Sequence, residues 1–142
     1  MRSFVLADWN TVRGQSASPA TQVTQDETTY LDLEQYSDVV IYLDVRELTT
    51  GGGANIVTFN FETAPSKDDP RDSSGNPTFF QTIASQSLTS ASSISNTFVL
   101  RVLMMTASVP LARYLRWRVV GPTSQTWDTT FRAIVAANSP GL

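Results

Sequence analysis

The chain has 142 residues, 41% hydrophobic and 16% charged, with a formal net charge of -3 and neither cysteine nor histidine. That length suits one domain with a core needing no staples. The two absences exclude disulfides, thiolate metal sites, Ser-His-Asp and Cys-His catalysis, and the commonest general base near neutral pH. The acidic balance argues against a nucleic-acid binder, which carries a basic excess.

At the start, "MRSFVLADWN" holds a short apolar run that Asp8 and Trp9 interrupt well short of a signal sequence. No later stretch reaches the roughly 20 apolar residues of a membrane span. A cytosolic site of synthesis without membrane attachment is expected. "TVRGQSASPATQVTQDETT", Thr11 to Thr29, has few large apolar residues and no helical period. Residues 1–29 therefore read as an extended N-terminal arm, with a short strand around Gln22 to Thr24. Residues 30–142 read as the folded domain.

From Tyr30 the pattern turns to period two. In "YLDLEQYSDVVIYLDVREL" two strands flank "QYSD"; Val39, Ile41, Leu43 and Val45 share one face, and Val40, Tyr42, Asp44 and Arg46 the other. "TTGGGAN" reads as a glycine turn of a hairpin into "IVTFNFET", with Val57, Phe59 and Phe61 aligned. Pro65, Pro70, Gly75 and Pro77 make residues 64–77 a long loop. "TFFQTIASQ" is a short strand and "SLTSASSISN" a polar connection. "TFVLRVLMM" is apolar on both faces, which predicts a central or doubly covered strand. "RYLRWRVV" and "WDTTFRAIVAA" close the chain. About eight strands without a helix predict an all-β fold, an antiparallel β-sandwich or jelly roll.

Of ten basic residues only Lys67 is a lysine, so the positive charge is almost wholly guanidinium, suited to planar, partly buried contacts. In the penultimate strand Leu115, Trp117 and Val119 share the core face, leaving Tyr114, Arg116 and Arg118 on the outer one. If the last two strands form a hairpin, Arg118 lies opposite Asp128 and Tyr114 opposite Arg132, and Arg118→Ala should barely alter the monomer. Two readings stay open for this face: a solvated sheet surface, or an interface anchored by Arg and Tyr. The candidate interface residues are Trp9 and Arg13 in the arm, then Tyr114, Arg116, Arg118 and Arg132.

Other chemistry is weakly signalled. Asp68, Asp69 and Asp72 with Ser73 and Asn76 are oxygen ligands of the kind calcium takes, but Pro70 and Arg71 break the EF-hand spacing, and a solvated turn is the preferred reading. Asp32, Glu34, Asp44, Glu47 and Glu62 offer carboxylates but no defined pair for glycoside hydrolysis. "TTGGGAN" lacks the Lys-Ser/Thr of a phosphate loop. No metal, cofactor or catalytic residue is assigned.

The succession "LDLEQYSDVVIYLDVREL", "FNFETAPSKDD", "FFQTI", "PLARYLRWRVVG" and "FRAIVAAN", about residues 30–137, resembles small β-sandwich virion proteins of tailed phages and prophages. The resemblance implies a non-enzymatic structural role, as a capsid decoration or minor head protein. It implies the major capsid protein or other virion proteins as partners, self-association into a homo-oligomer, and residence in the virion after assembly in the host cytoplasm. The alternative is a carbohydrate-binding β-sandwich module, for example on a phage tail.

Overall fold

The computed structural model describes residues 1–17, 20–51, 55–89, 96–102 and 109–139. In chain order the strands are β1 (Arg2–Gly14), β2 (Gln22–Thr24), β3 (Leu31–Asp32), β4 (Asp38–Thr50), β5 (Ile56–Ala64), β6 (Gln81–Thr89), β7 (Asn96–Val102), β8 (Tyr114–Val120) and β9 (Trp127–Asn138). One 3-10 turn, Glu27–Thr29, is capped by Asp26, which accepts the Thr28 backbone N–H at 2.9 Å. Among the described residues no helix is long and apolar enough to cross a membrane.

The strands form two antiparallel sheets, as the period-two pattern requires. Sheet A has the order β1-β9-β4-β7; sheet B has the order β2-β8-β5-β6, with β3 also on β8. Inward residues of both sheets make one core: Val39, Ile41, Leu43 and Val45 from β4, Phe131, Ala133 and Val135 from β9, Val57, Phe59 and Phe61 from β5, and Leu115, Trp117 and Val119 from β8. Phe131 joins the sheets, meeting the rings of Phe59 and Trp117 edge-on, each at 5.2 Å.

Connectivity departs from the sequence reading in three places. β4 and β5 are not a hairpin, because β4 pairs with β7 and β9 in sheet A while β5 pairs with β6 and β8 in sheet B. β8 and β9 likewise belong to opposite sheets. Arg118 pairs with Thr24 and Asn60, whereas Asp128 pairs with Arg13 and Thr49, so the expected pairings of Arg118 with Asp128 and Tyr114 with Arg132 do not form. Alternation reports which face a side chain takes, and a crossover between sheets preserves that face while changing the partner strand. β7, expected to be central, is an edge of sheet A with Val99 44% exposed; Leu103 to Met105 of that stretch fall outside the described residues.

The expected arm over 1–29 is also corrected. β1 pairs with β9 over most of its length, through two irregularities between Val5 and Asn10, and buries Leu6, Ala7 and Val12. Farther on, Gln25 is buried; its amide donates to the carbonyls of Leu6 and Thr29 and its carbonyl accepts the Trp117 N–H at 3.0 Å. The segment has few apolar residues, but the ones it has complete the core, and β9 supplies the ladder for its backbone groups. The β2 strand lies where the sequence placed it.

Because β1 belongs to the core, Leu6→Ala should lower the unfolding free energy by about 2–5 kcal/mol in a denaturant titration. A change within about 0.5 kcal/mol would instead be the behaviour of a free arm.

Candidate assembly interface

The three parts of the expected interface lie in different environments. β8 is buried on both sides: its inner residues face the core, and its outer Arg116 and Arg118 are 0% and 8% exposed. The cover is the loop after β5, with Phe80 at its end, together with Gln22 and Tyr30. Glu62, next to a bulge in β5 and the Cα partner of Arg116, stands between the two arginines. Its Oε1 accepts Arg116 Nε at 3.0 Å and its Oε2 accepts Arg118 Nε at 2.8 Å.

Every nitrogen of Arg116 is engaged. Beyond Glu62, Nη1 donates to Tyr30 Oη at 2.9 Å and Nη2 to Asp69 Oδ1 at 3.1 Å, while the guanidinium carbon lies 3.7 Å from the Phe80 ring centre. A lysine has neither the planar stacking surface nor the fork to do this. Arg71 of the loop donates to Asp69 at 2.7 Å, and Arg71 and Arg118 both donate to Gln22 Oε1, at 3.1 and 2.9 Å. The loop is thereby strapped to β2, β5 and β8 by charge. Arg116 and Arg118 are not interface anchors, because no partner can reach a guanidinium already covered and paired. Tyr114, half-buried at the start of the same strand, lies beside Lys67 and Arg113.

The same strap accounts for the acidic loop. Asp69 is taken up by Arg116 and Arg71, and Asp72 Oδ1 accepts the backbone N–H groups of Ser74 and Asn76, each at 2.9 Å, around Gly75 at φ +80°. The carboxylates do not converge, and among the described residues no group of three His, Cys, Asp or Glu is placed to hold a metal. Of the acids considered for hydrolysis, Asp32 and Glu34 share Arg113, at 3.0 and 3.6 Å, Asp44 pairs with Arg132, and Glu62 is buried.

Among the described residues nothing covers the outer face of sheet A in this way. Its register aligns Val5 on β1, Ile134 on β9, Tyr42 on β4 and Val99 on β7 in one row across all four strands. Val5, Tyr42 and Val99 are 65%, 41% and 44% exposed. The adjacent row is polar: Arg132 Nε donates to Asp44 Oδ2 at 2.6 Å, and Thr97 Oγ1 donates to Asp44 Oδ1. Trp9 lies over this row, with the guanidinium carbons of Arg46 and Arg132 at 4.2 and 4.9 Å from its ring centre. Of the candidates, then, Trp9, Arg132 and Arg13 lie on the outer face of sheet A, with Arg13 exposed at one end of it as the Cα partner of Asp128. The sequence reading did not single out Tyr42, Val99 or Arg46, although the β4 alternation already pointed Tyr42 and Arg46 outward.

Both carboxylates that hold surface structure are acid-sensitive. At Asp69, burial would raise the pKa, but hydrogen bonds and charge from Arg116 and Arg71 outweigh it and the net direction is down. At Asp44 the Thr97 hydrogen bond leads, burial opposes it, and Arg132 adds to the lowering. A depressed folded pKa means that the unfolded chain binds protons first. The stabilisation is therefore full above about 3.9, the ordinary Asp value, and is lost as pH falls through the folded values. Asp69→Asn should flatten the acid limb of a stability-against-pH curve, and an unchanged limb would show that the strap carries no net charge energy. At neutral pH, Glu62→Ala leaves two buried arginines short of a partner and should cost about 3–5 kcal/mol.

The sequence matches no protein-family model and no curated protein. Solved structures similar in fold come from infectious bursal disease virus. VP2 in a subviral particle aligns with 94% of this chain and 31% of its own, at 13% identity and a TM-score of 0.54. A structure of the Gt strain of that virus aligns with 99% of this chain and 32% of its own, at 8% identity and 0.53. A mutant VP2 protein in derived T=1 particles aligns over 96% and 31%, at 10% identity and 0.51. The chain thus spans about a third of the length of each of these three proteins. At these identities the likeness is one of fold, and it is to a virus-particle protein rather than to a tailed-phage decoration protein in particular.

Proposed function

We propose that the chain is a non-enzymatic structural protein of a virion, a capsid decoration or minor head protein that meets neighbouring subunits through the outer face of sheet A. One observation carries the reading: the loop after β5 covers the charged centre of one outward sheet face, around Glu62, Arg116 and Arg118, whereas the other face leaves an apolar row open across four strands. The fold likeness to a protein of virus particles supports it. An exposed Tyr and a half-buried Trp beside arginines are residue types that dominate association energies, because they bury large areas at small entropic cost. A face four strands wide and about nine residues long covers on the order of 600 Å² from strand spacing and rise alone, close to the roughly 800 Å² each partner gives a stable interface. The partners are other virion subunits or copies of this chain, and repeated attachment to a lattice multiplies modest single contacts.

Tyr42→Glu and Val99→Glu place a charge in the open row without touching the core. Each should leave thermal unfolding within about 0.5 kcal/mol of the parent. Each should weaken co-sedimentation with particles, or self-association by analytical ultracentrifugation, by roughly tenfold or more. Unaltered association in both variants would overturn the assignment of this face.

A further inference from the structure

The outermost strands of the two sheets are unlike. Among the described residues β6, at the end of sheet B, pairs with β5 alone, and its residues 84–88 match residues 57–61 one for one. This stretch carries no charge and no proline, and the irregularity in its pairing with β5 falls ahead of it, at Ile83. β1, at the end of sheet A, carries Arg2, Asp8 and Arg13 and is irregular at two places within its length. Charge, proline and bulges are what keep an edge from accepting a further strand, and residues 84–88 have none of them.

The backbone groups that reach this edge follow from parity. In an antiparallel sheet the N–H and C=O of one residue lie on the same side, and successive residues alternate sides. Gln25, directly after β2, bonds both the N–H and the C=O of Trp117, on the side of β8 away from β5. Arg118 therefore bonds its partner Asn60, and the next residues of β5, Phe59 and Phe61, turn their groups towards Gln86 and Ala84 of β6. Ser85 and Ser87 are left directing theirs out of the sheet. Among the described residues one bond is made to them there, from the Gln86 side-chain amide to the Ser87 carbonyl at 3.3 Å.

Residues 84–88 read "ASQSL", which from either end is apolar, serine, glutamine, serine, apolar. Two copies laid antiparallel with Gln86 facing Gln86 set every residue against one of its own kind. Ser85 exchanges both backbone bonds with the partner's Ser87, and Leu88 lies beside the partner's Ala84. Gln86 is half-buried on the core side, next to Phe59, so its amide meets its own copy at the centre, where each can donate and accept. Self-complementarity about a twofold axis is the property that an isologous dimer requires.

We propose that β6 is a dimerisation edge: two copies of this chain join their B sheets antiparallel through residues 84–88, with Gln86 on the twofold axis. The contact uses no residue of the Tyr42–Val99 row, so it stands or falls separately from the assembly face.

Sedimentation velocity up to about 0.5 mM protein, where even sub-millimolar affinity registers, should resolve a concentration-dependent dimer. Gln86→Lys and Gln86→Glu, each with the parental melting temperature, set like charges face to face across the axis. Each alone should weaken the dimer by roughly tenfold or more, and the two mixed in equal amounts should pair again. The chain has no cysteine, so Gln86→Cys supplies one thiol per copy, at a spacing that a disulfide spans, and mild oxidation should link it into dimers. Tyr42→Cys, on the outer face of sheet A, reports self-association through that face instead. A parent that stays monomeric overturns the proposal. So does a dimer undiminished in both charge variants, or one that cross-links through Tyr42→Cys alone.

Discussion

The ion-pair cluster of Arg116, Glu62 and Arg118 under the loop after β5 decides which surfaces the molecule presents. Two guanidiniums removed from water would be a severe cost by themselves. They are tolerated because a carboxylate stands between them and because Asp69, Tyr30, Gln22 and the Phe80 ring complete their shells. Such a cluster gains little over an apolar one of equal volume. What it secures is geometry. A polar strap with many donors at fixed angles seats the loop in one place, whereas an apolar cover slides among similar packings.

Because the loop covers the arginine-bearing part of sheet B and nothing comparable among the described residues covers sheet A, the two outward faces differ. The four-stranded sheet faces outward with aromatic and aliphatic side chains in register, flanked by the Asp44–Arg132 pair and Trp9. The order β1-β9-β4-β7 leaves β1, a strand of 13 residues, at one edge. A long edge and an open face on the same sheet are features that a freely soluble monomer ordinarily blunts and that an assembling subunit retains.

Much of this was legible along the chain. Alternation placed Val39 through Val45, Val57 through Phe61 and Leu115 through Val119 correctly on the core face, because an inward or outward orientation depends only on position within a strand. The arginines of β8 were assigned to the right face and the wrong environment. Their local pattern is the same whether water, a partner or the chain's own loop lies above them, and the covering groups come from residues 22–30 and 69–80, far away in sequence. β1 was misread for a related reason. Its apolar residues Phe4 to Ala7 run together without alternation, because two irregularities in its pairing with β9 break the two-residue period, and only three fully buried side chains are needed where the rest of the core already exists.

The sequence by itself therefore determined the all-β class, most strand positions, which residues point inward, and the absence of histidine and cysteine chemistry. Those properties follow from the two-residue period and from composition, and both are local. Tertiary structure alone decided that β4 and β5, and β8 and β9, belong to different sheets, that the outward arginines of β8 are covered, and that the outward Tyr42 stays exposed. Each of those depends on which distant segments meet, and strand alternation carries no record of the partner.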